Sequence, residues 1–200
     1  MMKSKQFFLA YIMATLSIFT GFFVVNVQKD YARLNDKNND TYLSSMASIG
    51  SFFISARFVW SILLDRFSFK WVYGTLLVMQ VVLGATMLWA VDDIVIYSLW
   101  VWLILFCEGG HFTLFPNLLR QLFGDQATQL YGIFFSYSGI CSIIQIFLQK
   151  WFLKGDDPDS YDGFFLLNAI FSGVAFLLLM FIFDETPYAV MKANQKASKA

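Results

Sequence analysis

The chain has 200 residues, of which 58% are hydrophobic, 20% aromatic and only 14% charged, with 14 Lys+Arg against 14 Asp+Glu. A soluble domain carries about 25% charge, and a nucleic-acid binder needs a basic excess to neutralise phosphates. Soluble enzymes, disordered chains, disulfide scaffolds and nucleic-acid binders are therefore excluded, and mean hydropathy of +0.60 points to a chain that is nearly all membrane.

Six apolar segments follow in order, about 6–27, 43–64, 71–90, 94–118, 128–149 and 163–183. Each is long enough to cross the hydrocarbon core as a helix. The runs are continuous rather than alternating, which argues against a barrel. Of the charged residues, only Arg57 and Glu108 lie well inside a segment, the segregation that lipid demands. The expected fold is an all-α membrane protein, with a six-helix transmembrane domain over 1–185 and a cytoplasmic tail over 186–200.

An even number of crossings places both termini on one side. Lys3, Lys5, Arg66, Lys70, Arg120, Lys192, Lys196 and Lys199 share that side, against Lys29, Arg33, Lys37, Lys150 and Lys154 on the other. The positive-inside rule then predicts cytoplasmic termini, although the sequence does not say in which membrane. Asn39-Asp40-Thr41 is a sequon that abuts the second segment, and it reads as an unused loop sequence.

Inside the second segment Ser44, Ala47, Ser48, Ser51, Ser55 and Ala56 form small-residue stripes, expected to pack against another helix. Gly132, Ser136 and Gly139 in the fifth segment, and Asn168 and Ser172 in the sixth, read the same way. Gln80 and Gln145 are expected to bond neighbouring helices. Arg57 either snorkels to the inner surface or faces a watery cavity as an anion site. Glu108 lies at a similar depth to Arg57, so a direct or water-bridged pair is allowed if their helices touch. His111 falls one turn from Glu108 on the same face.

Glu108-Gly109-Gly110-His111 also has the Glu-x-x-His spacing of di-iron bundles. That chemistry needs a second such motif, and the chain has one His. No metal site, cofactor or nucleophile–base pair is expected, and the chain does not read as an enzyme.

The turn Ser61-Ile62-Leu63-Leu64-Asp65-Arg66-Phe67-Ser68-Phe69-Lys70 resembles the signature loop of the major facilitator superfamily, Gly-x-Leu-x-Asp-Arg-x-Gly-x-Lys/Arg. Leu63, Asp65, Arg66 and Lys70 match, while Ser61 and Ser68 stand where glycines are usual. Ala56-Arg57-Phe58-Val59-Trp60-Ser61 is similar to the Gly-Arg-x-x-Trp-Gly stretch of the oxalate/formate antiporter and monocarboxylate transporter branches. Glu108 to Pro116, then Leu122-Phe123-Gly124 and Leu130-Tyr131-Gly132, resemble the Gly-Gly-x-Phe-x-x-Phe-Pro, Phe-Gly and Tyr-Gly run of the same antiporters.

The resemblance covers about 6–185 and implies the C-terminal six-helix half of that fold, arranged as two inverted three-helix repeats. It implies a secondary transporter, or half of one, moving a small organic anion such as a monocarboxylate by alternating access, with a proton or counter-anion. Arg57 matches the arginine that binds substrate carboxylate in this family. The second cation of the oxalate carriers is replaced by Ser138, and the acidic partner of the monocarboxylate carriers by Phe53. Glu108 and His111 complete the candidate substrate-binding set of Arg57, Glu108, His111 and Ser138. Expected partners are the lipid bilayer and a complementary six-helix half or a second copy. The rival expectation is a non-transporting multi-pass subunit that scaffolds or senses. In the family the loop Asp docks on the opposite half, so Asp65 is expected to pair locally with Arg66 or Lys70, or to face solvent.

Overall fold

A computed structural model of the chain describes residues 4–153, 157–187 and 190. Most of the expected tail, with Lys3, Lys154, Lys192, Lys196 and Lys199, lies outside the described residues. Among these residues there is no strand. The helices are α1 (Lys5–Leu34), α2 (Asp40–Ser55), α3 (Phe58–Arg66), α4 (Phe69–Ala85), α5 (Met87–Ala90), α6 (Ile94–Phe123), α7 (Ala127–Phe134), α8 (Ser136–Phe152) and α9 (Pro158–Phe181). Four helical stretches, Lys5–Leu34, Asp40–Arg66, Ile94–Phe152 and Pro158–Phe181, are long and apolar enough to cross a membrane, and Phe69–Ala85 is a shorter apolar helix. Gly124, at φ 59°, interrupts the long stretch between α6 and α7.

Local chemistry sets the helix ends. Ser4, Asn39, Asp93 and Asp157 cap α1, α2, α6 and α9 by accepting backbone N–H groups in the first turn. The sequon asparagine thus spends its side-chain oxygen on Tyr42 N–H, 3.0 Å away. One end of the bundle is tied by Arg33 to Asp40 at 2.8 Å, Lys37 Nζ to the Asp92 carbonyl at 2.9 Å, and the Tyr31 hydroxyl to Asp162.

Three segments expected as single helices are broken, at Ala56–Arg57, at Thr86 and at Phe135. Each break carries a hydroxyl bonded back onto the helix. Ser55 donates to the Ser51 carbonyl, Thr86 to Val82 at 2.6 Å, and Ser138 to Phe135 at 2.9 Å. Such bonds compete with the backbone ladder and bend helices. In α2 the competition is cumulative, since Ser45, Ser48 and Ser51 bond back in the same way.

The small-residue stripe of α2 does not pack inside the chain. Ser44, Ser48, Ser51 and Ser55 are exposed, and α2 instead buries Leu43, Met46 and Gly50. Gly132, Ser136 and Gly139 are exposed too. Ser48, Ser51 and Ser55 bond back onto their own helix, while Ser44 accepts from Lys29 Nζ of α1 at 3.3 Å. Asn168 and Ser172 are buried as expected, and Ser172 reaches Thr20 at 3.3 Å and Gln80 at 3.5 Å. Gln145 donates to the Phe19 carbonyl at 3.4 Å.

The core is built around α1 and α6, which pack on each other; α6 also receives α2, α4 and α7, while α1 receives α8 and α9. At the opposite end from Lys37, the N-terminus of α4 lacks a side-chain cap from Ser68. Glu185 supplies it, accepting from Lys70 N–H, and Lys70 Nζ reaches the Phe183 carbonyl at 3.4 Å. Asp65 and Arg66 are exposed and in no ion pair among the described residues. The carboxylate that meets the N-terminus of α4 is therefore Glu185, where negative charge is favoured. Glu185→Ala is expected to cost about 0.5–2 kcal/mol, the usual loss of a helix cap, read as a lower unfolding midpoint in detergent; an unchanged midpoint would show that the contact is idle.

Candidate transport site

Arg57 sits at the break between α2 and α3, in helical backbone at φ −52°, ψ −19°. Its guanidinium is exposed and joins no ion pair among the described residues. The direct pair with Glu108 that a similar depth allowed is not formed, although α2 and α3 both pack on α6. Similar depth along two neighbouring helices does not fix rotation about their axes. Glu108 points into the bundle toward α1, and Arg57 points away from it.

What holds the break in place is the Gly109-Gly110 pair of α6. A methyl group on Gly109 would lie 2.3 Å from the Ile54 carbonyl oxygen, so the end of α2 rests directly on the α6 backbone. Beside it, Trp60 of α3 donates its indole N–H to the Phe106 carbonyl at 2.9 Å. Thr113 donates to the Arg57 carbonyl at 3.4 Å. Arg57 is thus carried on a bend clamped against one turn of α6.

The Arg57 charge is within electrostatic reach of the Tyr131 hydroxyl on α7. Tyr131 lines a cleft of about 480 Å³ together with Pro116, Asn117, Arg120, Asp125 and Thr128. Tyr131, Asn117 and Arg120 were not among the residues expected to bind substrate. Tyr131 was quoted only for its place in the Tyr-Gly stretch, and nothing in the sequence says that α7 brings it near Arg57. Ser138 is half-buried and spends its hydroxyl on the Phe135 carbonyl. It offers no charge beside Arg57.

Glu108 and His111 are buried, at 2% and 0% exposure, and so lie apart from Arg57. Both Glu108 carboxyl oxygens lack a hydrogen-bond partner. The carboxyl occupies the place where Gly21 of α1 has no side chain, since a methyl there would stand 1.9 Å from Glu108 Oε2. His111 Nδ1 is 3.9 Å from Glu108 Oε2 and 3.1 Å from the Cys107 carbonyl. Its Nε2 is 2.8 Å from Ser17 Oγ, which is 2.7 Å from the Tyr73 hydroxyl. An ionised buried carboxylate without a partner costs several kcal/mol, so the arrangement suits a protonated Glu108.

Among the described residues no group of three or more His, Cys, Asp or Glu could hold a metal ion. A sequence profile described as Major Facilitator Superfamily matches residues 7–199. No curated protein matches the chain.

Proposed function

The chain belongs to the major facilitator superfamily, and from that premise we propose that it forms half of a secondary transporter for a small organic anion, closest to the oxalate/formate and monocarboxylate branches. The family makes the chain a multi-pass membrane protein that transports rather than catalyses. The observation that carries the anion reading is Arg57, a cation left without an ion pair on the exposed side of a helix bend. A purely structural guanidinium in lipid would be paired or buried against partners. A guanidinium offers a carboxylate two parallel hydrogen bonds that a lysine cannot.

The bend supplies the movement. Arg57 rides on a short joint whose backbone bonds shorten to three residues, seated on α6 by Ile54, Trp60 and Thr113 among others. An anion drawn to Arg57 from one side shifts that joint and α2, and alternating access follows when a second six-helix body rocks against the first. The exposed small residues of α2 and of α7–α8 suit close approach by such a body, either a complementary half or a second copy. Arg57→Lys is expected to impair, and Arg57→Gln to abolish, organic-anion uptake into vesicles holding this chain with its complementary half or as an assembled dimer. Monocarboxylates should be preferred to dicarboxylates, because Ser138 provides no second charge. Unchanged uptake by Arg57→Gln at matched expression rejects the site and promotes the scaffold reading.

We place both termini in the cytoplasm, with six crossings in two inverted repeats. Single cysteines at Lys37, Ser68 and Ser198 test this, since the native Cys107 and Cys141 are buried. Ser68 and Ser198 should label from the inside and Lys37 from the outside; labelling of Lys37 and Ser198 from one side refutes the topology.

A further inference from the structure

We propose that Glu108 and His111 form a one-proton site inside the half, separate from Arg57 and linked to it through the turn that carries Gly109. Only the use of that proton to drive an anion rests on the transporter reading above. The site itself stands on four observations. The Glu108 carboxyl is buried with both oxygens unpartnered, a costly arrangement of a kind that is rare in folded proteins. Gly21 leaves the space that houses it. His111 lies beside it, at 3.9 Å from Nδ1 to Oε2. A hydrogen-bonded file then leads from His111 through Ser17 on α1 to Tyr73 on α4.

That file has two complete hydrogen-bonding states. With His111 neutral, Nδ1–H donates to the Cys107 carbonyl, Ser17 donates to Nε2 and Tyr73 donates to Ser17. With His111 protonated, Nε2–H donates to Ser17 Oγ. Ser17 then turns its proton to the Met13 carbonyl, 2.8 Å away, and Tyr73 turns to the same carbonyl at 3.2 Å. Met13 O is thus an acceptor within reach of both hydroxyls. The pair holds one exchangeable proton, which closes either the O–H bond of Glu108, with His111 neutral, or the Nε2–H bond of His111, with a carboxylate beside an imidazolium; when that proton is lost to water, a carboxylate beside a neutral imidazole remains. The two one-proton forms are neutral overall, and loss of the proton leaves one negative charge.

The ionisable groups facing Glu108 are Cys107 and His111 on α6, Tyr73 on α4, and Tyr137 and Cys141 on α8. From α1 it meets Gly21, with Ser17 beyond the imidazole. Tyr137 is itself buried with its hydroxyl unpartnered. No Lys or Arg pairs with the carboxyl among the described residues, so His111 is the one base at hand. Gly109, the next residue, bears the end of α2 on its backbone. A displacement of the Arg57 bend therefore acts on the turn that aims the carboxyl.

The chain has two glutamates, Glu108 and Glu185, and one histidine. Glutamate labelled with carbon-13 and histidine labelled with nitrogen-15 thus report on three side chains in the full chain in nanodiscs. Glu185→Gln assigns the glutamate pair, and none of this requires transport. The expected result is that the pair loses its one proton over a single pH window, moving the Glu108 and His111 resonances together, while Glu185 titrates separately. Ser17→Ala should move that window by about one pH unit or more, because it removes the bond to Nε2. Gly139→Ala, on the exposed face, should leave it in place. Glu108 staying protonated and His111 neutral at every pH at which the helices persist would overturn the proposal in favour of a static polar contact. Independent titration, with no effect of Ser17→Ala, would overturn it as well. Either failure leaves the Arg57 uptake test standing.

Discussion

Gly109→Ala is expected to be among the most damaging single-methyl additions to this chain. Alanine gains about 1 kcal/mol over glycine in a helix interior. Overpacking a tight contact costs about 1–3 kcal/mol, sometimes more. Here the added carbon would sit 2.3 Å from the Ile54 carbonyl oxygen and 3.3 Å from the Ile54 Cα. Those are backbone atoms, so no rotamer change relieves the clash and the whole end of α2 must move. The clash should win, and the unfolding midpoint in detergent should fall. Because Arg57 and the Trp60–Phe106 bond ride on the same joint, anion uptake should fall with it. A rise in the midpoint would mean that α2 is not seated on α6.

Gly21→Ala should also destabilise, and its cause can be isolated. The added methyl would meet Glu108 at 1.9 Å from Oε2, 2.5 Å from Cδ and 2.8 Å from Cβ. Contact with the Cβ as well as the carboxyl means the side chain cannot swing clear by its tip alone. A loss of about 1–3 kcal/mol is expected. Glu108→Ala alone should be neutral or stabilising, because it removes buried polar atoms that have no partner. In the double variant the methyl enters the space the carboxyl vacates, so most of the loss should return, with a coupling of about 0.5–3 kcal/mol. Gly21→Ala with Glu108→Gln should show no such return, since glutamine has the same size. Additive losses in the first cycle would separate the two residues and remove Gly21 from the account.

Sequence alone determined the features that depend on one segment at a time. Six apolar runs, charges confined to their ends, and an arginine isolated in the second run all follow from the cost of placing a charge or a bare backbone in lipid. The signature loop placed the chain in its superfamily for the same reason, since a motif is local.

Tertiary structure decided everything that depends on rotation about a helix axis. Each residue turns the face by about 100°, so Arg57 and Glu108 share a depth yet face apart, one to the outside of the half and one to α1. The serine stripe of α2 faces outward because the bundle seats Leu43, Met46 and Gly50 instead, and Ser48, Ser51 and Ser55 close on their own helix. Glu108, His111, Ser17 and Tyr73 come from α6, α1 and α4, and no spacing in the chain announces that they meet. Only packing could show that Gly21 makes room for a carboxylate carried 87 residues away.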